Sequence, residues 1–252
     1  MWSISKNSKP PTQHDIFQLI SSRKWRELKA IISNHKSPDS ILNNICDHKT
    51  NKSDLNALQL ACSFHPPLDV IQCIYNAYPR AIYERDHKGN CALHTACKSG
   101  CIPGVVRFLV EKYPQAATKT NLKGRSPFLL ACKSYLSSHL TSCHHLKRIM
   151  RIVNEELLTV LQFLVTAAPI CVTIKDYLGM GPLDYAIKAN VDSFVIDYVR
   201  SVVINMQRQM GLVKKMYTLG SKSPEGNEKQ LIFRPRLLTL REYQEKQVKV
   251  II

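Results

Sequence analysis

The chain has 252 residues, and its 35 Lys and Arg against 19 Asp and Glu give a formal net charge of +16 at pH 7. A hydrophobic fraction of 44% and a charged fraction of 21% are ordinary for globular proteins and exclude wholesale disorder. No apolar run approaches the roughly 20 residues of a membrane-spanning helix, and the first residues lack the apolar core of a secretory signal. We therefore expect an intracellular protein, in the cytoplasm or the nucleus, whose nine cysteines are thiols.

The first 50 residues are interpreted as a flexible terminus, residues 1–14, followed by a helical capping unit or degenerate repeat, residues 15–50. Apolar residues at helical spacing in 16–20 and again in 25–32 predict two short amphipathic helices. Such a unit is typical of the end of a repeat array, where one face has no neighbour and must be polar.

Residues 51–210 contain a short motif that recurs in register. It reads NALQLACSF from Asn56, CALHTACKS from Cys91, SPFLLACKS from Ser126 and GPLDYAIKA from Gly181. The first three copies are 35 residues apart, and the fourth follows after 55. One insertion of about twenty residues, at about 136–156 in the third unit, explains the longer step, and the array therefore has four units.

Each unit shows the same order of local signals. A turn that begins with Asp or Asn comes first, as at Asp86 and Asn121, and Gly tolerates the positive φ at its end. Asp54 replaces that Gly in the first copy. A short helix follows, with Pro127 and Pro182 suited to its first turn, and then a second helix that the Pro of a Tyr-Pro pair stops.

The predicted first helices have a common apolar face at spacing i, i+3 and i+4. We expect its members to be buried: Leu58, Ala61, Cys62, Leu93, Ala96, Cys97, Phe128, Ala131, Cys132, Leu183, Ala186 and Ile187. A catalytic cysteine would not be periodic, so we interpret the cysteines at this position as packing residues.

The repeated segments at 56–62, 91–97, 126–132 and 181–187 resemble the ankyrin repeat family and its Thr-Pro-Leu-His-x-Ala-Ala motif. The resemblance implies an all-α solenoid of helix-turn-helix units with short connecting loops. The family's Thr is absent from all four copies, and its His remains only as His94. We interpret His94 as a structural hydrogen-bonding residue and expect fewer hydrogen bonds between neighbouring loops than the family has.

Two further segments add length to the array. Apolar positions from Leu146 onward predict a helix of about 20 residues that continues into the second helix of the third unit. His139, Cys143, His144 and His145 lie just before it, but no second cluster completes a metal site of familiar spacing, so we predict no metal and interpret them as polar surface. Residues 211–252 form a basic extension, with a linker at 220–230 and a short basic helix or a mobile segment at 235–250.

Charged and apolar residues at equivalent repeat positions form a candidate partner-binding surface. Lys98, Lys133 and Lys188 follow the small-residue pair of three first helices, so stacking places them on one face. The resemblance implies that partners contact this position and the loop tips on the concave side. The candidate residues are His87, Lys88, Asn90, Lys98, Leu122, Lys123, Arg125, Lys133, Tyr177, Leu178, Met180 and Lys188.

No nucleotide-binding, nucleophile-elbow or zinc-protease motif occurs in the sequence. We therefore predict a non-catalytic, cofactor-free and monomeric adaptor or scaffold that binds a protein with an acidic segment. Two alternatives remain open at this point. The charge of +16 also suits an electrostatic binder of nucleic acid or anionic membrane, which is the second alternative. The third alternative is the regulatory subunit of an enzyme.

Overall fold

The computed structural model describes residues 11–35, 38–42, 55–100, 102–134, 146–189 and 191–219. Throughout these segments the regular secondary structure is helical, as the all-α prediction requires. None of the helices in them is both long and apolar enough to span a membrane. The turn at Asp54, the histidine cluster at 139–145, the linker at 220–230 and the segment at 235–250 lie outside the described residues.

The N-terminal unit contains the two short amphipathic helices that the sequence predicts. They are α1 (Gln13–Ser21) and α2 (Trp25–Asn34), and one further turn, α3 (Asp39–Leu42), follows. Thr12 caps α1, since its backbone N–H donates to Asp15 at 2.7 Å and its side chain accepts from the Asp15 N–H at 3.3 Å. The buried faces of α1 and α2 pack on each other and on the helix pair of the next unit.

Four helix pairs follow in chain order. They are α4 (Ala57–Cys62) with α5 (Leu68–Ala77), α6 (Ala92–Ser99) with α7 (Pro103–Lys112), α8 (Pro127–Ser134) with α9 (Leu146–Ala167), and α10 (Pro182–Lys188) with α11 (Ser193–Leu219). The first helices pack side by side in the order α4, α6, α8, α10, while α7 packs between α5 and α9. Each unit therefore buries its apolar face against its neighbours, as in a stack of repeats.

The Tyr-Pro pairs end the second helices, as predicted. Short 3₁₀ turns, which the sequence analysis did not predict, follow these helices. Helices α5 and α7 stop at Ala77 and Lys112, and the prolines start short 3₁₀ turns. These turns span Pro79–Ile82, Pro114–Thr118 and Pro169–Thr173. Each one buries two small or apolar side chains, such as Ala81 and Ile82. The additional length of the units thus extends the core.

The predicted apolar face is buried in the first three units, where Leu58, Leu93 and Phe128 are at most 2% exposed. The prediction is wrong for Ile187, which is 54% exposed, and Leu183 is only partly buried. In the earlier units the position of Ile187 is a buried cysteine, and a further first helix packs beside each of those helices. In the described part of the chain no further unit follows α10, so Ile187 has no such neighbouring helix there.

The helix predicted from Leu146 is confirmed, since α9 begins at that residue and runs for 22 residues, against 10 in α7. Its C-terminal half packs between α7 and α8, and Leu161, Leu164 and Val165 are fully buried. The insertion therefore lengthens a helix of the third unit and leaves the stacking of the first helices unchanged.

Candidate partner-binding surface

The turns that begin three of the units share one geometry. In each, the side-chain oxygen of the first residue accepts the backbone N–H groups two and four positions later. These pairs are Asp86 with Lys88 and Asn90, Asn121 with Lys123 and Arg125, and Asp176 with Leu178 and Met180. The glycines that close the turns, Gly89, Gly124 and Gly179, have φ of +75°, +72° and +74°. The predicted turn chemistry is therefore confirmed.

Neighbouring loops are tied to one another through the backbone. The Leu122 N–H donates to the Lys88 carbonyl at 2.9 Å, and the Tyr177 N–H donates to the Lys123 carbonyl at 3.3 Å. These bonds hold successive tips in a row and leave their side chains outside it. Leu122, Tyr177 and Leu178 are 68%, 78% and 76% exposed, and we refer to them as the apolar tip residues.

Asn90 does not belong to the exposed surface, which corrects the prediction made for it. The residue is 7% exposed. Its amide donates to Asp86 at 2.9 Å, and its oxygen accepts from the Asn121 amide of the next loop at 2.9 Å. Burial inside this loop-to-loop network removes Asn90 from contact with a partner and makes it a structural residue.

The three lysines at the common repeat position are exposed, in the last turns of α6, α8 and α10. We call Lys98, Lys133 and Lys188 the lysine row. Positive charge at a helix C-terminus also stabilises the helix, by about 0.3–1 kcal/mol for an exposed residue. The row therefore has a structural role beside any role in binding, and experiments on it must separate the two.

A compact group of charges lies where the third unit meets the fourth. Asp176, with its side chain 1% exposed, accepts from Arg125 Nε at 3.2 Å and from the Tyr185 hydroxyl at 2.5 Å. The Arg125 guanidinium and the Lys133 ammonium lie 5.7 Å and 5.9 Å from the centre of the Tyr185 ring. Arg125, predicted as a partner contact, is thus largely enclosed, with 14% of its side chain exposed.

The pKa values of Asp176 and Lys133 are shifted by this arrangement of charges. Desolvation disfavours the charged form of Asp176, but hydrogen bonds from Tyr185, from two backbone amides and from Arg125 outweigh it and hold its pKa below the ordinary value. Partial desolvation, followed by repulsion from Arg125, Lys123 and Lys188, lowers the pKa of the Lys133 ammonium, and Asp176 opposes this. We call Lys123, Arg125, Lys133 and Lys188 the Arg125 cluster.

His94 and its neighbours form the core of the second unit. The Cys91 N–H donates to His94 Nδ1 at 3.3 Å, so the neutral ring carries its proton on Nε2. Burial, and then repulsion from Arg85, lowers the pKa of His94 to about 4, against the influence of the Lys119 and Arg125 carbonyls. The structural interpretation of His94 is confirmed, since the side chain is fully buried.

The cysteines predicted to pack in the core do so, since Cys62, Cys97 and Cys132 are at most 3% exposed. Burial raises the pKa of the Cys132 thiol to about 12, which keeps it protonated and unreactive at neutral pH.

The loops are tied more tightly in the first unit than the motif comparison suggested. Gln59 occupies the repeat position of His94, and its amide donates to the carbonyls of Glu84 and Asn90 at 3.0 and 3.2 Å. Its oxygen accepts from the N–H of Asn56, which caps α4 in return. The expected loss of loop-to-loop hydrogen bonds is therefore wrong in this unit. The spacing Asn-x-x-Gln of a capping box was the signal that could have revealed it.

Comparison with known protein families identifies the second unit. The model of the ankyrin repeat family matches residues 88–118, from the loop tip through α6 and α7 to the Pro114–Thr118 turn. The chain therefore contains an ankyrin repeat, and the units that share its geometry form an all-α, ankyrin-like stack. A comparison with curated proteins gave no match. Ankyrin repeats are typically non-catalytic and generally serve as protein-binding modules.

Two turn glycines allow a matched test of the close contact between neighbouring loops. At Gly179 a Cβ atom would meet nothing within 4 Å, whereas at Gly124 it would lie 3.0 Å from the Tyr177 backbone nitrogen. Gly179→Ala is expected to cost about 1 kcal/mol from positive φ alone, and Gly124→Ala roughly 2–3 kcal/mol, because the next loop must also move. Urea unfolding of the two variants measures the difference, and equal losses would show that the loops are not in close contact.

Proposed function

We propose that the protein is a non-catalytic adaptor that binds an acidic segment of a partner protein along the loop tips and first helices. The observation that carries the proposal is the concentration of positive charge on this face. In the Arg125 cluster, Lys133 is repelled by Arg125, Lys123 and Lys188, and the carboxylate of Asp176, which pairs with Arg125, opposes this repulsion. Uncompensated charge of one sign attracts a segment of the opposite sign and increases its rate of association.

The apolar tip residues contribute affinity and specificity that charge alone does not give. An exposed ion pair contributes only about 0.2–1 kcal/mol, so several such pairs together give modest affinity and little specificity. Tyr177 and Leu178 add exposed apolar area beside the cluster, and contacts of this kind are where binding energy concentrates in interfaces. Lys88 and His87, exposed on the loop tip of the second unit, extend the basic surface further along the array.

The proposal is tested by selecting peptides from a random displayed library on the full chain. Selected sequences are expected to be enriched in Asp and Glu. Replacing the lysine row with Gln should weaken them about tenfold, because three ion pairs are lost without placing negative charge at helix C-termini. Raising the salt concentration should weaken binding in the same direction.

A matched variant separates this surface from the overall charge of the protein. Arg26, Lys112 and Arg208 are exposed on α2, α7 and α11, and replacing all three with Gln removes the same charge elsewhere. That variant should bind the selected peptides as the unmodified chain does. Selection without acidic enrichment, or equal sensitivity of both variants, contradicts the proposal. Equally tight binding of double-stranded DNA or anionic vesicles would favour an electrostatic binder instead.

A further inference from the structure

Arg125 is held in a fixed orientation by groups that are themselves fixed. Asp176 engages only its Nε atom, at 3.2 Å, and the ring of Tyr185 lies 5.7 Å from the guanidinium carbon. The Tyr185 side chain also hydrogen-bonds the Arg125 side chain, and in the described part of the chain no carboxylate or carbonyl oxygen accepts from the two terminal nitrogens of Arg125. An arginine immobilised in this way loses little conformational entropy when it binds a ligand.

Exposed lysines from three structural elements add positive charge around this arginine. Lys123 comes from the loop before α8 and Lys133 from the last turn of α8, and both are exposed. Lys188, exposed in the last turn of α10, acts on the same group of charges. A single carboxylate from a partner would leave most of this charge unbalanced. A phosphate monoester carries about −1.5 to −2 charges, and its three acceptor oxygens can bind the planar guanidinium of an arginine and several lysine ammonium groups.

We propose that the Arg125 cluster is a site for a phosphorylated side chain within the partner's acidic segment. Arg125 would bind the phosphate oxygens through its terminal nitrogens, and Lys123, Lys133 and Lys188 would balance the remaining charge. This inference rests on the function proposed above and adds to it a requirement for phosphorylation of the partner. Binding would therefore be switched on by a kinase and switched off by a phosphatase acting on that partner.

The surroundings of the cluster favour a protein ligand over a lipid headgroup. Tyr177 and Leu178 follow Asp176 directly in the same loop and are more than three-quarters exposed. Leu122 precedes Lys123 and lies against the turn at Gly89. Apolar side chains that flank a charged site in this manner suit the residues on either side of a modified position in a peptide.

The test uses pools of degenerate peptides that differ only in one fixed central residue: phosphoserine, phosphotyrosine or glutamate. Fluorescence anisotropy on the full chain measures each affinity, and a phosphorylated pool is expected to bind about tenfold more tightly than the glutamate pool. Lys133→Gln, and independently Lys123→Gln, should reduce this ratio toward one. Lys98→Gln, at the repeat position of Lys133 but one unit away, should weaken both pools alike and preserve the ratio.

The outcomes distinguish this inference from the proposed function. If the pools bind equally and Gln at the lysine row weakens them all, the phosphate site is rejected and the adaptor stands. If no pool binds, both are rejected. A phosphate preference that survives both Lys133→Gln and Lys123→Gln also overturns the assignment to this cluster. Vesicles containing phosphorylated inositol lipids serve as the last probe, and their tighter binding and displacement of the phosphorylated pool would assign the site to a membrane instead.

Discussion

Asp176→Ala is expected to lower the free energy of unfolding by about 3–5 kcal/mol, because it removes one member of a buried ion pair. Arg125 and the Tyr185 hydroxyl would lose their common acceptor, and the turn would lose the oxygen that accepts the N–H groups of Leu178 and Met180. Urea unfolding followed by circular dichroism measures the loss.

The preceding unit offers the matched control. Asn121 occupies the position of Asp176 and makes the same turn with an amide oxygen. Asp176→Asn should therefore keep the turn and lose only the charge, at roughly 2 kcal/mol. If Ala and Asn cost the same, the turn hydrogen bonds contribute nothing measurable and the ion pair accounts for the whole effect. A loss below about 1 kcal/mol for Ala would contradict the burial of this carboxylate.

His94 is expected to make the fold sensitive to mild acid. Its pKa is about 4 in the folded chain, against 6.5 for an ordinary histidine. Between these values the unfolded chain binds a proton that the folded chain does not, so stability is complete above pH 6.5 and falls as the pH approaches 4. The shift corresponds to about 3 kcal/mol over this window.

The control for this effect is again present in the chain. Gln59 fills the equivalent position in the first unit and accepts the N–H of its own capping residue. His94→Gln should therefore retain the local hydrogen bond without a titrating group. The difference in unfolding free energy between the two proteins, measured from pH 7 to pH 4, isolates the contribution of His94, since all other groups cancel. A difference that stays constant over this range would falsify the assignment of a depressed pKa.

Much of the local structure could be predicted because its causes are local. The turns at Asp86, Asn121 and Asp176 follow from a side chain that bonds the backbone two and four residues later, and from a glycine at positive φ. The end of α7 follows from the proline at 114, which cannot continue the helix, and Cys97 is buried because its spacing places it on the apolar face. Each signal is complete within one unit.

The candidate surface was only partly predictable, because its composition depends on pairs of units. Asn90 and Lys88 are neighbours on the same loop, yet one is buried in a network with Asn121 and the other is exposed. Nothing within the loop sequence separates them. The partner of Asn90 lies 31 positions later, and the pairing exists only once the loops are stacked.

The period of the repeat, the helical class of the fold and the positions of the exposed lysines were determined by the sequence itself, since each follows from short-range geometry repeated at 35 residues. Only the tertiary structure showed which of these side chains are exposed and able to contact a partner. Arg125 meets Asp176 across 51 positions and an insertion, and Ile187 is exposed although its equivalents are buried. Whether a side chain at a repeat position is buried, hydrogen-bonded or exposed depends on the unit stacked beside it, so the sequence of a single unit does not determine it.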